Sequence, residues 1–133
     1  MEAEEGVRLS EIGQIAVPVK DVARATAFYR DALGLRLLFE VPGPMSFFDA
    51  GGVRLMLSLA SEAAYDHPSS ILYFRVPDIG AAHRQLAARG VPFIQPPHKV
   101  ADLGTHELWL AFFGDGEGST HALLSEVAVP ARG

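Results

Sequence analysis

The sequence predicts an α+β fold in which two tandem βαβββ modules form a curved mixed sheet around a cup-shaped cavity. Three observations lead to this fold class. An alternating strand followed by an amphipathic helix occurs twice, the two copies keep one spacing, and short strand-like runs follow each copy. The composition of 133 residues, 49% hydrophobic and 20% charged, is that of a globular chain, so a largely disordered protein is excluded.

The first copy begins with a strand and continues as a helix. Apolar residues alternate with small or polar ones over residues 12–19, which is typical of a half-buried strand. Asp21 is a suitable N-cap for a helix predicted over residues 21–33. Gly34 then ends this helix.

The second copy repeats this order. Alternation returns over residues 71–78, Asp78 is the N-cap candidate of a helix predicted over 78–89, and Gly90 ends it. The two aspartates are 57 residues apart and the two glycines 56. Several matches in one order, at spacings that differ by one residue, indicate an internal duplication.

Three short runs that predict strands follow each helix. In the first copy they are LRLLFEV, MSFFDA and VRLMLSL, and in the second VPFIQP, HELWLAFF and THALLSEV. A glycine-rich turn joins the last two runs of each copy, which indicates a hairpin. We expect one domain over residues 9–126, with modules at about 9–60 and 68–126, between flexible ends at 1–8 and 127–133.

Two stretches, VPVKDVARATAFYRDALGL and AFFGDGEGSTHALLSEV, resemble the glyoxalase/bleomycin-resistance/dioxygenase family, also called the vicinal oxygen chelate superfamily. The resemblance runs from Ile12 to Glu126 and implies the duplicated βαβββ fold. It leaves open whether the chain is an enzyme, because this fold hosts isomerases, epimerases, dioxygenases, thiol transferases and drug-binding proteins.

The resemblance also implies four metal-ligand positions, on the first and last strands of each module. They fall on Gln14, Met56, Ile71 and Ala122. A catalytic divalent ion generally needs at least three nitrogen or oxygen ligands from the protein. Gln14 offers one amide oxygen and Met56 a soft thioether, whereas isoleucine and alanine offer no donor. We therefore expect no metal and no other cofactor in the cup.

A displaced metal site is the alternative. The candidate ligands for one divalent ion are His67, His98, His106 and Glu107. The first two are expected in loops beside proline, and the last two are neighbours in a strand, so only one of them faces the cup. With such a site the chain is a metal-dependent lyase, isomerase or dioxygenase.

Strand alternation predicts which side chains line a metal-free cup. The candidate ligand-binding residues are Gln14, Arg54, Met56, Ser58, Ile71, Tyr73, Arg75, Trp109 and Ala122. This set is largely apolar with a few polar groups, which is typical of small-molecule sites, and its arginines suit an anionic ligand. We expect a small, partly apolar ligand and assign no catalytic residue. His121 shares its face with Leu123 and is expected to pack against a helix.

Charge and cysteine content limit the partners and the location. The net charge is −5 with scattered basic residues, which argues against nucleic acid and anionic membranes as partners. No apolar stretch is as long as a membrane span. Cysteine is absent, and we expect a cytoplasmic protein.

Free sheet edges and an open apolar cup predict a homodimer, and members of the family often dimerise.

Overall fold

Two βαβββ modules follow one another in the computed structural model, which describes residues 6–130. The first contains β1 (Gln14–Pro18), α1 (Val22–Ala27), a π-helical continuation of α1 (Phe28–Ala32), β2 (Arg36–Val41), β3 (Met45–Ala50) and β4 (Val53–Ser58). After a short 3-10 helix (Ala63–Tyr65), the second contains β5 (Leu72–Arg75), α2 (Ile79–Ala88), β6 (His98–Asp102), β7 (His106–Gly114) and β8 (Thr120–Ala128). The predicted α+β fold with two tandem modules is confirmed.

The strands form two four-stranded mixed sheets, in the orders β1-β4-β3-β2 and β5-β8-β7-β6. In each sheet the first strand of the module pairs in parallel with the last, and the other pairs are antiparallel. The edge strands β1 and β5 share no backbone hydrogen bond within residues 6–130. Each sheet packs one side on helices, and we call the other side its cup face.

Both helices begin and end where the sequence predicts. Asp21 and Asp78 each accept a hydrogen bond from the backbone N–H three residues further on, at 3.0 Å. These bonds satisfy amide groups that have no partner within the helix. Gly34 and Gly90 have φ angles of 79° and 91°, a conformation that side-chain-bearing residues rarely adopt.

The second strand of module two differs from the prediction. VPFIQP makes only an isolated bridge between Phe93 and Phe113, and β6 forms over His98–Asp102 instead. Proline has no N–H for a ladder hydrogen bond, and Pro92, Pro96 and Pro97 precede the strand. The expectation that His98 lies in a loop is therefore wrong, because this residue is the first of β6.

Helix α1 joins the two modules. Phe28 packs against both helix-side cores, and the buried Tyr29 reaches the second module, where its hydroxyl donates to Asp115 Oδ2 at 2.7 Å. On the same helix Arg24 forms an ion pair with Glu117. Since these contacts lie on the helix side, the modules are held together by the sides opposite their cup faces.

The ends of the domain differ slightly from the prediction. Strand β8 continues to Ala128, because Val127 and Ala128 pair with the first two residues of β7. The expected flexible ends include residues 1–5 and 131–133, which lie outside the described residues. No helix in the described part of the chain is long and apolar enough to cross a membrane.

Candidate functional site

One end of the first cup face carries a row of polar side chains, one from each strand. The strand register pairs Gln14 with Arg54, Arg54 with Asp49, and Asp49 with Arg36. Residues paired across neighbouring strands place their side chains on the same face. This polar row therefore crosses the sheet, and its two guanidinium groups and one carboxylate give it a net positive charge.

Arg54 is held in the polar row by two contacts. Its Nε donates a 2.7 Å hydrogen bond to Gln14 Oε1, and its guanidinium carbon lies 5.1 Å from the ring centre of Phe47, within the range of a cation–π interaction. Among residues 6–130, Arg54 joins no ion pair and its two terminal Nη atoms donate to no protein acceptor. The Nη end of this side chain is therefore available to a ligand.

Two largely apolar rows lie beside the polar row. In register they consist of Ala16, Met56, Phe47 and Phe39, and then Pro18, Ser58, Met45 and Val41. The rings of Phe39 and Phe47 stack with their centroids 4.5 Å apart. Phe39 is 47% exposed and Val41 42%. Phe47 is buried at 7% exposure, so the exposed apolar surface of this row lies on Phe39 and the neighbouring Val41. Exposed apolar patches of this kind are characteristic of ligand or protein contact sites.

The second cup face is also apolar. Tyr73, Ala122 and Phe112 lie in register, and the rings of Tyr73 and Phe112 meet edge to face with centroids 6.1 Å apart. The next row consists of Arg75, Leu124, Leu110 and His98. Arg75 Nη1 donates to Glu126 Oε1 at 3.1 Å, so this arginine already has a carboxylate partner.

The predicted ligand-binding residues are divided between the two sheets. Gln14, Arg54, Met56 and Ser58 lie on the first cup face, Tyr73, Arg75 and Ala122 on the second, and Ile71 directly before β5. Trp109 lies on the helix side, where it packs against the second core and donates from Nε1 to Glu107 Oε1 at 3.1 Å. No hydrogen bond or aromatic ring contact within residues 6–130 joins one cup face to the other.

The cup faces also contain aromatic residues that alternation alone did not assign. The strand register places Phe39, Phe47 and Phe112 on the cup faces. A β-bulge between Leu37 and Phe39 moves Phe39 onto the face of Phe47. Such a bulge reverses the alternation of the strand. In β3, Phe47 pairs with Met56 and therefore lies on the same cup face as Met56.

A groove of about 530 Å³ lies between the modules. It is lined by Ile15, Leu35, Asp49, Ala50, Gly51, Val53, Leu55, Ile71, Leu72, Tyr73, Phe74 and Arg75. Three predicted ligand-binding residues, Ile71, Tyr73 and Arg75, border it, but Ile15 and Leu55 belong to the helix-side core of the first sheet. Among the residues that line the groove, Asp49 alone belongs to the first cup face, so the groove is largely a different surface.

A buried polar network connects the modules behind the cup faces. Nδ1 of His121 accepts a 3.3 Å hydrogen bond from the Leu72 N–H, so the ring proton lies on Nε2 and is donated to the Tyr29 oxygen at 2.8 Å. Tyr29 in turn donates to Asp115. Burial lowers the pKa of His121, against the opposing effect of Asp115, and raises the pKa of Tyr29. His121 thus packs on the helix side, as its alternation predicts.

Comparison with known proteins decides the family. The family model described as Glyoxalase/Bleomycin resistance protein/Dioxygenase superfamily matches residues 11–120. The chain belongs to this superfamily. No curated protein matches the sequence significantly.

Solved structures of the superfamily share the fold at low identity. A superfamily member from Sphaerobacter thermophilus is 22% identical, with a TM-score of 0.73 over 89% of this chain and 98% of that one. A lactoylglutathione lyase from Agrobacterium tumefaciens is 21% identical, with a TM-score of 0.69 over 89% and 95%. A glyoxalase-related enzyme from Fulvimarina pelagi is 17% identical, with a TM-score of 0.72 over 93% and 100%. At this identity the likeness supports the fold alone.

The four residues that the resemblance assigns to metal-ligand positions do not fit a divalent ion. Gln14 and Met56 lie together, with Nε2 of the amide 3.7 Å from the thioether sulfur. The amide oxygen of Gln14, the one hard donor of the four, already accepts a hydrogen bond from the cationic Arg54. A second cation at that oxygen is repelled by the guanidinium charge. Ile71 and Ala122 supply no donor, so we derive no chemistry through a metal here.

The alternative ligands are dispersed. Residues 6–130 contain no group of three or more His, Cys, Asp or Glu side chains positioned to hold a metal ion. The ring Nδ1 of His67 bonds to Pro68 O, and that of His106 to Thr105 Oγ1. Glu107 accepts from Trp109 on the helix side, away from the cup face.

Proposed function

We propose that this superfamily member binds a small, partly apolar organic molecule on its cup faces, and that it does so without the divalent ion of the metal-dependent members. The observation that carries this proposal is the first cup face. There, the exposed ring of Phe39, which stacks on the buried ring of Phe47, and the side chain of Met56 lie beside the polar row. Within residues 6–130 the Nη atoms of Arg54 in that row have no protein acceptor. Apolar surface with a few convergent polar groups is the usual composition of a small-molecule site.

We further propose that the binding cup is completed by a second copy of the chain. Within one chain the two modules contact each other through their helix sides, and among residues 6–130 no hydrogen bond or aromatic contact joins the two cup faces. Exposed side chains such as Phe39 and Val41 favour burial against a partner surface. The outer edges of β1 and β5, which pair with no other strand in the described part of the chain, supply backbone groups for such a contact.

The donor chemistry supports a metal-free site. A divalent ion must recover its dehydration free energy from several oxygen or nitrogen ligands. At the superfamily's positions the first sheet offers a single amide oxygen that is already bonded to Arg54. The ligand is therefore held by apolar contact and hydrogen bonds.

The test combines metal analysis with a binding assay. Protein purified without chelators is analysed by mass spectrometry for metals and titrated with N-phenyl-1-naphthylamine, a neutral apolar fluorophore. We expect saturable binding with far less than one metal per chain. A stoichiometric metal that is lost in Gln14→Ala contradicts the proposal. A stoichiometric metal lost in His98→Ala or His106→Ala supports the alternative of a metal-dependent lyase, isomerase or dioxygenase.

A further inference from the structure

The polar row on the first cup face carries a positive charge that the described protein does not neutralise. It contains Arg36, Arg54 and one carboxylate, Asp49. Asp49 Oδ1 accepts from the Gly52 N–H at 3.1 Å, and no ion pair joins it to either arginine within residues 6–130. One net positive charge thus remains at this end of the face.

Arg54 is the member of the row that is built to receive an anion. Its Nε is committed to Gln14, and the Phe47 ring lies beside its guanidinium group. These two contacts fix the guanidinium while the four N–H bonds of its two Nη atoms remain for an external acceptor. A fixed guanidinium binds a carboxylate or sulfonate through two parallel hydrogen bonds. By contrast, Arg75 on the second sheet is bonded to Glu126.

The distance from the Arg54 guanidinium to the apolar row restricts how far the anionic group of a ligand lies from its apolar body. Met56 follows Arg54 by two residues on the same face of β4, so the apolar row lies about 7 Å from the polar row. Across β4 and its neighbours this row presents the stacked rings of Phe47 and Phe39. Phe47 is 7% exposed, so the apolar surface open to a ligand in this row is the ring of Phe39, 47% exposed, together with Met56. A ligand that contacts this surface and Arg54 needs an apolar body with an anionic group about 7 Å from it.

We propose that the ligand of this protein is an organic anion with a flat apolar or aromatic body, and that Arg54 binds its anionic group. This inference rests on the proposed function, which requires only that the cup faces bind a partly apolar molecule. It adds the charge of the ligand and names the side chain that selects for it.

Two fluorophores that share one aromatic skeleton and differ in charge test this inference independently of the proposed function. 8-Anilinonaphthalene-1-sulfonate carries a sulfonate on the skeleton of the neutral N-phenyl-1-naphthylamine. Both are titrated into the wild type, Arg54→Gln and the control Arg84→Gln, which removes an exposed arginine from α2. We expect Arg54→Gln to weaken binding of the anion roughly tenfold or more, as for a lost charge-assisted hydrogen bond. Binding of the neutral probe should not change, which also shows that the variant is folded.

Each other outcome has a defined meaning. If neither probe binds the wild type, the proposed function fails and this inference fails with it. If the neutral probe binds but Arg54→Gln leaves the affinity for the anion unchanged, the inference is overturned while the proposed function stands. An equal loss in Arg84→Gln also overturns it, because the anion then responds to overall charge.

Discussion

The Nε of Arg54 on β4 donates a 2.7 Å hydrogen bond to Oε1 of Gln14 on the neighbouring strand β1. Gln14 occupies the first of the four positions that the resemblance to the superfamily assigns to metal ligands. Here its amide oxygen is used to hold an arginine. A position associated with a metal cation in metal-dependent members thus helps to place a protein cation beside the apolar part of the cup.

Replacing Gln14 tests this relationship. In Gln14→Ala the guanidinium of Arg54 loses its acceptor and is less well positioned, so we expect binding of 8-anilinonaphthalene-1-sulfonate to weaken by ~0.5–1.5 kcal/mol, as for one hydrogen bond. The metal content should stay unchanged. Fluorescence titration and elemental analysis measure the two quantities, with Gln85→Ala on α2 as the control. A fall in metal content specific to Gln14→Ala contradicts the metal-free account.

Tyr29 should stabilise the contact between the two modules. Tyr29→Phe removes the donor to Asp115 and the acceptor for His121, leaving buried polar groups without one partner each. We expect the free energy of unfolding to fall by ~1–3 kcal/mol. Tyr65→Phe is the matched control, because Tyr65 is 56% exposed. Urea denaturation checks this, and equal effects of the two substitutions contradict the role of Tyr29.

Stability should fall in mildly acidic solution because of His121. Burial lowers its pKa in the folded state below the ordinary 6.5, so the unfolded chain takes up a proton first as the pH falls. The stability that depends on a neutral His121 is fully present above pH 6.5. It is lost as the pH falls from 6.5 towards the lowered pKa of the folded state. A proton on Nδ1 also places two N–H groups opposite each other, since the Leu72 N–H points at this atom.

The measurement is the free energy of unfolding between pH 7.5 and 5. The wild type should lose up to about 1.4 kcal/mol per pH unit from this single group. His121→Asn should be less stable at pH 7.5 but less dependent on pH. The control His67→Gln, in an exposed loop, should keep the dependence of the wild type. Equal slopes in all three proteins contradict the assignment to His121.

The proposed dimer gives a mass prediction. At micromolar concentration, light scattering should report twice the 14.3 kDa of one chain. The reason is that exposed aromatic surface on the cup faces and unpaired β1 and β5 edges favour a partner chain. A mass of one chain at every concentration tested would mean that the cup is not shared between copies.

Much of the fold could be predicted because its signals are local. The capping aspartates and the terminating glycines recur at nearly the same spacing, so both helices were located to within about a residue. The β6 strand was missed because the apolar run VPFIQP is interrupted by proline, while the strand itself, HKVAD, is mostly polar. Local alternation does not contain that information.

The candidate site was predicted less completely because register and packing decide it. Alternation correctly grouped Gln14, Arg54 and Met56 on one face, since they lie on regular strands. It could not place Phe39, because the bulge in β2 changes its side, nor assign Trp109, which packs on the helix side. The hydrogen bond between Tyr29 and His121 joins residues 92 positions apart in the sequence, so no local sequence pattern predicts it.

The most direct test of the account is methyl NMR of protein labelled at its methionines, during titration with N-phenyl-1-naphthylamine. The chain has three methionines, and both Met45 and Met56 lie on the first cup face. We expect the methyl signals of Met45 and Met56 to shift together and to saturate with the fluorescence of the probe. If the fluorescence saturates while both signals stay in place, the probe binds away from the first cup face, which contradicts the proposed binding site.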